Sequence, residues 1–290
     1  MENIHLVTVA THNEGYYNAL KESAKRNNYN LITLGWGQKW GGFIMKYKLL
    51  QEVLNNFDDN DIIILIDAYD VIVNNSKDVI LERFKKFNKP LLLSKDGEPG
   101  NAIFKYAYNK IFDSCRGTNI CAGLMMGYVW AFKLLIVEMC GQNLSKCGEL
   151  NLDDQIILVN VCNNNEFYRK YLAIDYNNYV FFNTFGTTNF EIIISEMFTI
   201  RNDKLYIKNA DYSPCFIHGP GNVNLNNICK FYNLPLGKKI SRDMVYRIKL
   251  YTKPQYMSRF KDEIYKIIIL FVVIISVLVG LYMKDTHYKK

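Results

Sequence analysis

The sequence predicts an α/β fold, a sandwich of helices around a largely parallel β-sheet. Strand-like and helical segments alternate along most of the chain, which is the pattern of parallel sheets joined by crossover helices. The clearest strand covers 62–66, where five apolar residues in a row indicate burial on both faces of a sheet. We find no internal repeat in the sequence.

The individual elements follow from hydrophobic spacing and from the turn residues between segments. Residues 119–127 combine an apolar strand with small side chains, so we expect a backbone or a ligand to approach closely there. Strands are predicted at 4–10, 31–35, 62–66, 90–94, 119–127, 171–176, 179–182, 205–208 and 215–218. Helices are predicted at 16–27, 43–56, 76–87, 129–140 and 156–161.

Composition excludes several classes of protein. The net charge of +7 is concentrated in 236–263, which indicates a membrane-proximal segment, and we expect no nucleic-acid partner. The sequence contains no nucleophile elbow, no P-loop and no dinucleotide-binding glycine motif. The seven cysteines show no metal-finger spacing, and we expect most of them to be reduced, buried thiols, with a few disulfides as the open alternative.

The C-terminal end predicts a membrane anchor. Residues 267–283 carry no charge and would span about 26 Å as a helix, enough for most of a bilayer core. We predict a catalytic domain at 1–235, a basic juxtamembrane segment at 236–263, a transmembrane helix at 264–284 and a short tail at 285–290. Because no signal peptide is recognisable, we expect the catalytic domain to face the cytosol, on a viral or host endomembrane.

Two carboxylates follow the predicted central strand and give the first candidate site. Asp67 and Asp70 stand at its carboxyl end, the edge where open α/β sheets bind ligands. A divalent cation would relieve their mutual repulsion, and carboxylate oxygens suit Mn²⁺ or Mg²⁺. Tyr69 between them offers a flat ring. The alternative is a strand that simply ends in a polar turn.

Other candidates lie at element ends. Trp40 stands in a glycine-rich loop, where it would stack on a ligand or close a hydrophobic corner. Lys46 occupies the first turn of a helix, a position more easily explained by a nearby anionic ligand. Asp153 and Asp154 open another helix, where capping alone would explain them. His218 ends a strand that runs into a glycine-proline turn.

In this order the motifs resemble the glycosyltransferase domain of the procollagen lysyl hydroxylase/glycosyltransferase (PLOD) family and related viral enzymes. That domain is a metal-dependent, nucleotide-sugar-using enzyme with a Rossmann-like sandwich fold of the GT-A type. The resemblance extends over most of 4–235. Its matching segments are 8–11 with 14–16, 33–35 with 40–42, 67–72, 153–155, and 217–219 with Gly221.

The resemblance implies roles for the candidate residues. It implies Mn²⁺ or Mg²⁺ as cofactor, a UDP-sugar as donor of galactose or glucose, and a hydroxyl acceptor on a protein or glycan, with hydroxylysine of a collagen-like protein as one candidate. The implied metal ligands are Asp67, Asp70 and His218. The implied nucleotide-binding residues are Thr11, Trp40, Lys46, Tyr69, Asp67 and Gly221.

The implied catalytic residues are Asp153 and Asp154. Three roles remain open for them: orienting the acceptor hydroxyl, taking its proton, or contacting hydroxyls of the donor sugar. The stereochemical outcome, inversion or retention, also remains open.

Two other functions are weighed against this one. An inactive, membrane-anchored binding protein would fit the departures from the family pattern at Cys121, Asn222 and Asn224, but it need not keep the acids and His218 together. A nucleotidyltransferase or sugar-phosphate enzyme would explain the acids but not the His-Gly turn.

Overall fold

A computed structural model of the chain describes residues 2–98, 102–141, 153–184, 191–221, 223–238, 253–262 and 264–266. The chain divides into two units, Met1–Arg242 and Asp243–Lys290. The first unit carries the described sheets and the candidate site. In the second unit a short helix, Pro254–Met257, is followed by a 3₁₀ turn at Ser258–Phe260 and by further helical residues at 261–262 and 264–266.

A six-stranded sheet forms the centre of the first unit, in the order β2-β1-β3-β6-β5-β7. Every neighbouring pair is parallel except for the two pairs that involve β6, which runs antiparallel to β3 and β5. The strands are β1 (Ile4–Val9), β2 (Leu31–Leu34), β3 (Ile62–Asp67), β5 (Leu91–Lys95), β6 (Ile120–Tyr128) and β7 (Leu172–Asp175). The prediction of a largely parallel sheet is confirmed.

Hydrophobic cores lie on both faces of this sheet, as the continuous apolar run of β3 predicts. Ile63 and Leu65 point into one core, and Ile62, Ile64 and Ile66 point into the other. Among the described residues of the first unit, the helices are α1 (Tyr17–Arg26), α2 (Met45–Leu54), α3 (Lys77–Lys86), α4 (Ala102–Phe112), α5 (Val129–Cys140), α6 (Asp154–Asn163), α7 (Asn165–Tyr171), α8 (Ile194–Met197) and α9 (Asn226–Phe231).

A second, three-stranded sheet positions the site. Its strands are β4 (Val71–Val73), β8 (Phe181–Asn183) and β11 (Phe216–His218), in the order β4-β11-β8. β11 runs antiparallel to β4 and parallel to β8. Since β4 begins four residues after the end of β3, this sheet brings distant segments to the carboxyl edge of the central sheet. A separate hairpin pairs β9 (Phe198–Arg201) with β10 (Lys204–Ile207).

The prediction of mostly reduced cysteines is wrong. Cys115 and Cys162 form a disulfide across 47 residues, and Cys140 is also disulfide-bonded. Cys121, Cys215 and Cys229 are free and buried. Spacing gave no sign of this pairing, because its partners are brought together only by the packing of the segment after α4 against α6.

The predicted transmembrane helix at 264–284 lies outside the described residues, apart from its first three positions. Among the helices that the structure does describe, none combines the length and the apolar character needed to cross a bilayer.

Candidate functional site

Three of the sequence-predicted residues meet at the junction of the two sheets. Asp67 ends β3, Asp70 lies in the turn before β4, and His218 ends β11 and pairs with Val71. One ligand atom from each of Asp67, Asp70 and His218 lies within 4.8 Å of the other two. The geometry of these three side chains, called the metal group below, would allow them to hold a metal ion.

The surroundings of His218 favour a cation at this point. Its Nε2 atom lies 3.3 Å from Oδ1 of Asp70 and 3.9 Å from Oδ2 of Asp67. The same nitrogen is buried and makes no hydrogen bond. A buried polar atom that makes no hydrogen bond costs about 1–3 kcal/mol, and a ring nitrogen directed at two carboxylates fits the position of a metal ligand.

Gly123 of β6 makes room for this group. A Cβ atom at position 123 would lie 2.5 Å from Cε1 of His218 and 2.8 Å from Oδ2 of Asp67. Both distances are below van der Waals contact, so only glycine lets the strand pass behind the two side chains. This is the close approach predicted from the small residues of 119–127.

Lys46 and Asp154 form a buried ion pair beside the metal group. Nζ of Lys46 lies 2.8 Å from Oδ2 of Asp154, donates to the carbonyl oxygen of Ala122 at 2.8 Å, and lies 3.4 Å from Oδ1 of Asp67. Burial alone would lower the pKa of Lys46, but Asp154 and Asp67 outweigh it and hold this pKa well above its usual value. Lys46 is therefore positively charged, and its contacts with Asp67 and Asp154 link the metal group to the start of α6.

The two acids that open α6 have different environments. Asp153 is the N-cap, and its carboxylate accepts from the backbone N–H groups of Gln155 at 2.9 Å and Ile156 at 3.3 Å. Asp154 instead faces Lys46. Burial raises the pKa of Asp154 to about 6, against the lowering effect of Lys46. Asp153 therefore caps α6, whereas Asp154 is paired with Lys46.

Sequence reasoning missed another buried acid close to His218, Asp96, which follows β5. Its carboxylate accepts from the backbone N–H of Gly97 at 2.8 Å and from the hydroxyl of Tyr108, which in turn accepts from Nε2 of Gln155 at 2.8 Å. Burial raises the pKa of Asp96 to about 6. A single Asp in a polar loop gives no pattern, and α4, which carries Tyr108, was not predicted.

Tyr69 joins the loop after β1 to the turn that carries Asp70. Its hydroxyl accepts from the backbone N–H of Thr11 at 3.0 Å and donates to the carbonyl oxygen of His12 at 3.2 Å. Gly15, at φ +54°, allows the chain to pass the Tyr69 carbonyl, where a Cβ would lie at 2.6 Å. Thr11 and Tyr69, both predicted to contact the nucleotide, are therefore neighbours.

The two remaining predicted residues lie in loops. The Trp40 side chain is 48% exposed and packs edge-on against Phe43, with ring centroids 6.3 Å apart. Gly221 adopts φ +67° in the turn after β11. This turn is tied to the metal group, because the N–H of Gly219 donates to the carbonyl oxygen of Asp70 at 2.8 Å.

Comparison with known families agrees with this geometry. The family model described as PLOD GT domain matches residues 1–235. The chain belongs to the PLOD GT domain family.

Curated relatives of this PLOD GT domain are procollagen-lysine,2-oxoglutarate 5-dioxygenases. Form 1 of the rat enzyme is 24% identical over 255 residues, covering 81% of this chain and 33% of the relative. The Drosophila melanogaster enzyme is 26% identical over 243 residues, covering 78% of this chain and 32% of the relative. The chain thus spans about a third of the length of the curated relatives it matches.

Two solved glycosyltransferases are remotely similar to this PLOD GT domain. One, involved in glycosylation of the major capsid of PBCV-1, shares 12% identity, with a TM-score of 0.39 over 61% of this chain and 84% of that chain. The other, the galactosyltransferase LgtC in complex with donor and acceptor sugar analogs, shares 15% identity, with a TM-score of 0.42 over 75% of this chain and 87% of that chain. Both are too distant to assign residue roles.

Proposed function

We propose that the chain is a Mn²⁺-dependent glycosyltransferase that transfers a hexose, galactose or glucose, from a UDP-sugar to a hydroxyl acceptor. The observation that carries this proposal is the Asp67, Asp70 and His218 group at the carboxyl edge of the sheet, beside the buried pair of Lys46 and Asp154. Membership of the PLOD GT domain family supports the reaction class.

The donor atoms fit a divalent cation of intermediate hardness. Two carboxylates alone would suit Mg²⁺, but an imidazole nitrogen in the set favours Mn²⁺. When bound, the ion would neutralise the charge that develops on the departing nucleoside diphosphate. Asp67, Asp70 and His218 would hold the ion. The fit of these residues to a metal rests on the buried Nε2 atom of His218, which makes no hydrogen bond.

The nucleotide would lie along the loop that follows β1. The hydrogen bonds of Tyr69 to this loop hold its ring in one orientation, which favours stacking on a uracil base. We assign further nucleotide contacts to Thr11, to the exposed ring of Trp40, and to the backbone at Gly221, where the absence of a side chain permits close approach. Asp67 would also reach the ribose.

We propose that Asp154, and not Asp153, acts on the reacting sugars. Asp153 uses its carboxylate to cap α6, whereas Asp154 is held in place by Lys46. Lys46 itself is buried, and its Nζ atom already contacts the carboxylates of Asp154 and Asp67 and the carbonyl oxygen of Ala122. It would therefore support the nucleotide site by orienting these carboxylates rather than by binding a phosphate directly.

The disulfides indicate the kind of compartment in which the acceptor is found. Stable disulfides are characteristic of oxidising compartments and are rare in the cytosol. The Cys115–Cys162 bond therefore favours an acceptor in such a compartment over the cytosolic placement expected from the sequence. A protein or glycan hydroxyl there, including hydroxylysine of a collagen-like chain, is the acceptor we propose.

Donor hydrolysis tests the reaction. The full chain is incubated with UDP-galactose, UDP-glucose and other UDP-sugars, with Mn²⁺, with Mg²⁺ or with a chelator, and released UDP is measured. We expect release from one hexose donor, with Mn²⁺ most active and the chelator abolishing it. The Asp70→Asn variant is the matched control. Failure to bind UDP under every condition would contradict the proposal, whereas Mn²⁺-dependent UDP binding without hydrolysis or transfer would favour the inactive binding protein.

A further inference from the structure

Asn183, at the end of β8, lies beside the metal-site histidine. β8 and β11 run parallel, and Asn183 pairs directly with His218 in their register. Paired residues of neighbouring strands project to the same face of a sheet, so the two buried side chains meet. The Oδ1 atom of Asn183 lies 2.7 Å from Nδ1 of His218.

A second contact fixes the orientation of the Asn183 amide. Its Nδ2 atom donates to the carbonyl oxygen of Lys95 at 2.5 Å. A carbonyl oxygen only accepts, so the NH₂ group must face Lys95 and the Oδ1 atom must face His218. The flipped amide would direct oxygen at oxygen across this contact and lose the hydrogen bond to Lys95.

This orientation determines which ring nitrogen of His218 carries the proton. Oδ1 of Asn183 only accepts, so Nδ1 of His218 must donate, and the neutral ring then leaves a lone pair on Nε2. The sulfur of Cys121, 3.7 Å from Nδ1, is a weaker acceptor that already receives the backbone N–H of Gly123 at 3.4 Å. The alternative, a proton on Nε2 directed at Asp70, would require Nδ1 and Oδ1 to face each other without hydrogen.

We propose that Asn183 is a positioning residue for the metal site, which sets the tautomer and ring orientation of His218 so that the Nε2 lone pair meets the ion. The proposal rests on the proposed metal-dependent function. Because Lys95 ends β5, Asn183 also ties His218 to the central sheet and not only to its own three-stranded sheet. Partners of this kind typically change metal affinity 10- to 100-fold when removed.

Titration of the full chain with Mn²⁺, followed by calorimetry or by the electron spin resonance signal of free Mn²⁺, tests this role. In Asn183→Leu both hydrogen bonds are lost at similar volume, and we expect Mn²⁺ affinity to fall about 10- to 100-fold. In Asn183→Asp the acceptor for Nδ1 is kept but the hydrogen bond to the Lys95 carbonyl is lost, so we expect a smaller loss of affinity than in Asn183→Leu.

Asn75→Leu is the matched control. Asn75 is also buried and also donates to backbone carbonyls, those of Ser213 and Pro214, each at 3.0 Å. We expect this variant to bind Mn²⁺ as the wild type does. Wild-type affinity in Asn183→Leu, or an equal loss in Asn75→Leu, would overturn the proposal.

A spectroscopic measurement keeps the proposal testable if Asn183→Leu does not fold. Nitrogen-15 spectra of the wild-type chain without metal, assigned through His218→Gln, report the tautomer of His218 directly. We expect a protonated Nδ1 and an unprotonated Nε2, and the opposite tautomer would overturn the role of Asn183. A wild-type chain that shows the expected tautomer but binds no Mn²⁺ would instead contradict the proposed function.

Discussion

The two halves of the site hold their carboxylates in different ways. On the metal side, Asp67 ends β3, which pairs with β1, and Asp70 and His218 lie where β4 pairs with β11, so backbone pairing fixes their positions. On the helical side, Asp153 and Asp154 depend on the start of α6. Strand register sets positions through many backbone bonds, whereas a helix start can shift as a unit, so the helical side needs additional restraints.

Those restraints are visible in the structure. Lys46 pairs with Asp154 from the metal side, and the Cys115–Cys162 disulfide ties the body of α6 to the segment after α4. Asp96 is held by Tyr108, which also receives a hydrogen bond from Gln155 of α6. The comparison therefore predicts that ligand binding and sugar transfer can be lost separately, the first through the strands and the second through α6.

The largest effect is expected from removal of a metal ligand. In Asp70→Asn or His218→Ala, Mn²⁺-dependent UDP affinity should fall by more than about 100-fold, since these side chains form the metal group itself. Calorimetric titration with UDP and Mn²⁺ measures it, with His5→Gln, at the opposite edge of the sheet beside Asp61, as control. Unchanged affinity in either variant would remove that residue from the metal site.

The next effect separates the two acids of α6. Asp154→Asn should reduce sugar transfer by about 100-fold or more while UDP affinity stays within about threefold, because acid–base or orienting groups typically contribute 10²–10⁴-fold. Asp153→Asn should transfer at nearly the wild-type rate, since Asn caps a helix as well as Asp does. Steady-state transfer rates measure both, and an equal loss in both variants would show that the helix start, and not Asp154, is what matters.

The smallest effect on binding is expected from loss of the disulfide. The double variant Cys115→Ser, Cys162→Ser opens a loop of 47 residues and should lower the free energy of unfolding by about 2–4 kcal/mol. Mn²⁺ affinity should change less than about twofold, because the strand ends are untouched. Urea unfolding and Mn²⁺ titration measure the two quantities, with Cys229→Ala, a buried free thiol, as control. Loss of Mn²⁺ affinity would contradict the independence of the two halves.

Local pattern was enough for much of the fold. Five apolar residues at 62–66 predicted a strand buried on both faces, and β3 is that strand. The helix predicted at 129–140 agrees with α5 at both ends. The strand was predictable from its short, β-branched apolar run, and Asp67 and Asp70 follow directly from where such a strand ends.

Features that depend on contacts between distant segments could not be predicted from the local sequence. The direction of β6 depends on its neighbours in space, since alternation along a strand is the same in either direction. The pairing of Asn183 with His218 joins residues 35 positions apart in sequence. Asn is uncommon in strands, and an Asn ending an otherwise aromatic run was the one available hint. The candidate metal ligands themselves came from the resemblance together with the strand pattern.

The need for glycine at position 123 helps to interpret other sequences that carry the same acids and histidine. Even the single carbon of an alanine at this position would overlap the ring of His218 and the carboxylate of Asp67. In a chain that kept every acid and His218 but carried alanine or serine here, we expect these two side chains to be displaced and the proposed metal site to be lost. One small position can thus distinguish a working enzyme from a pseudoenzyme whose motifs all appear complete.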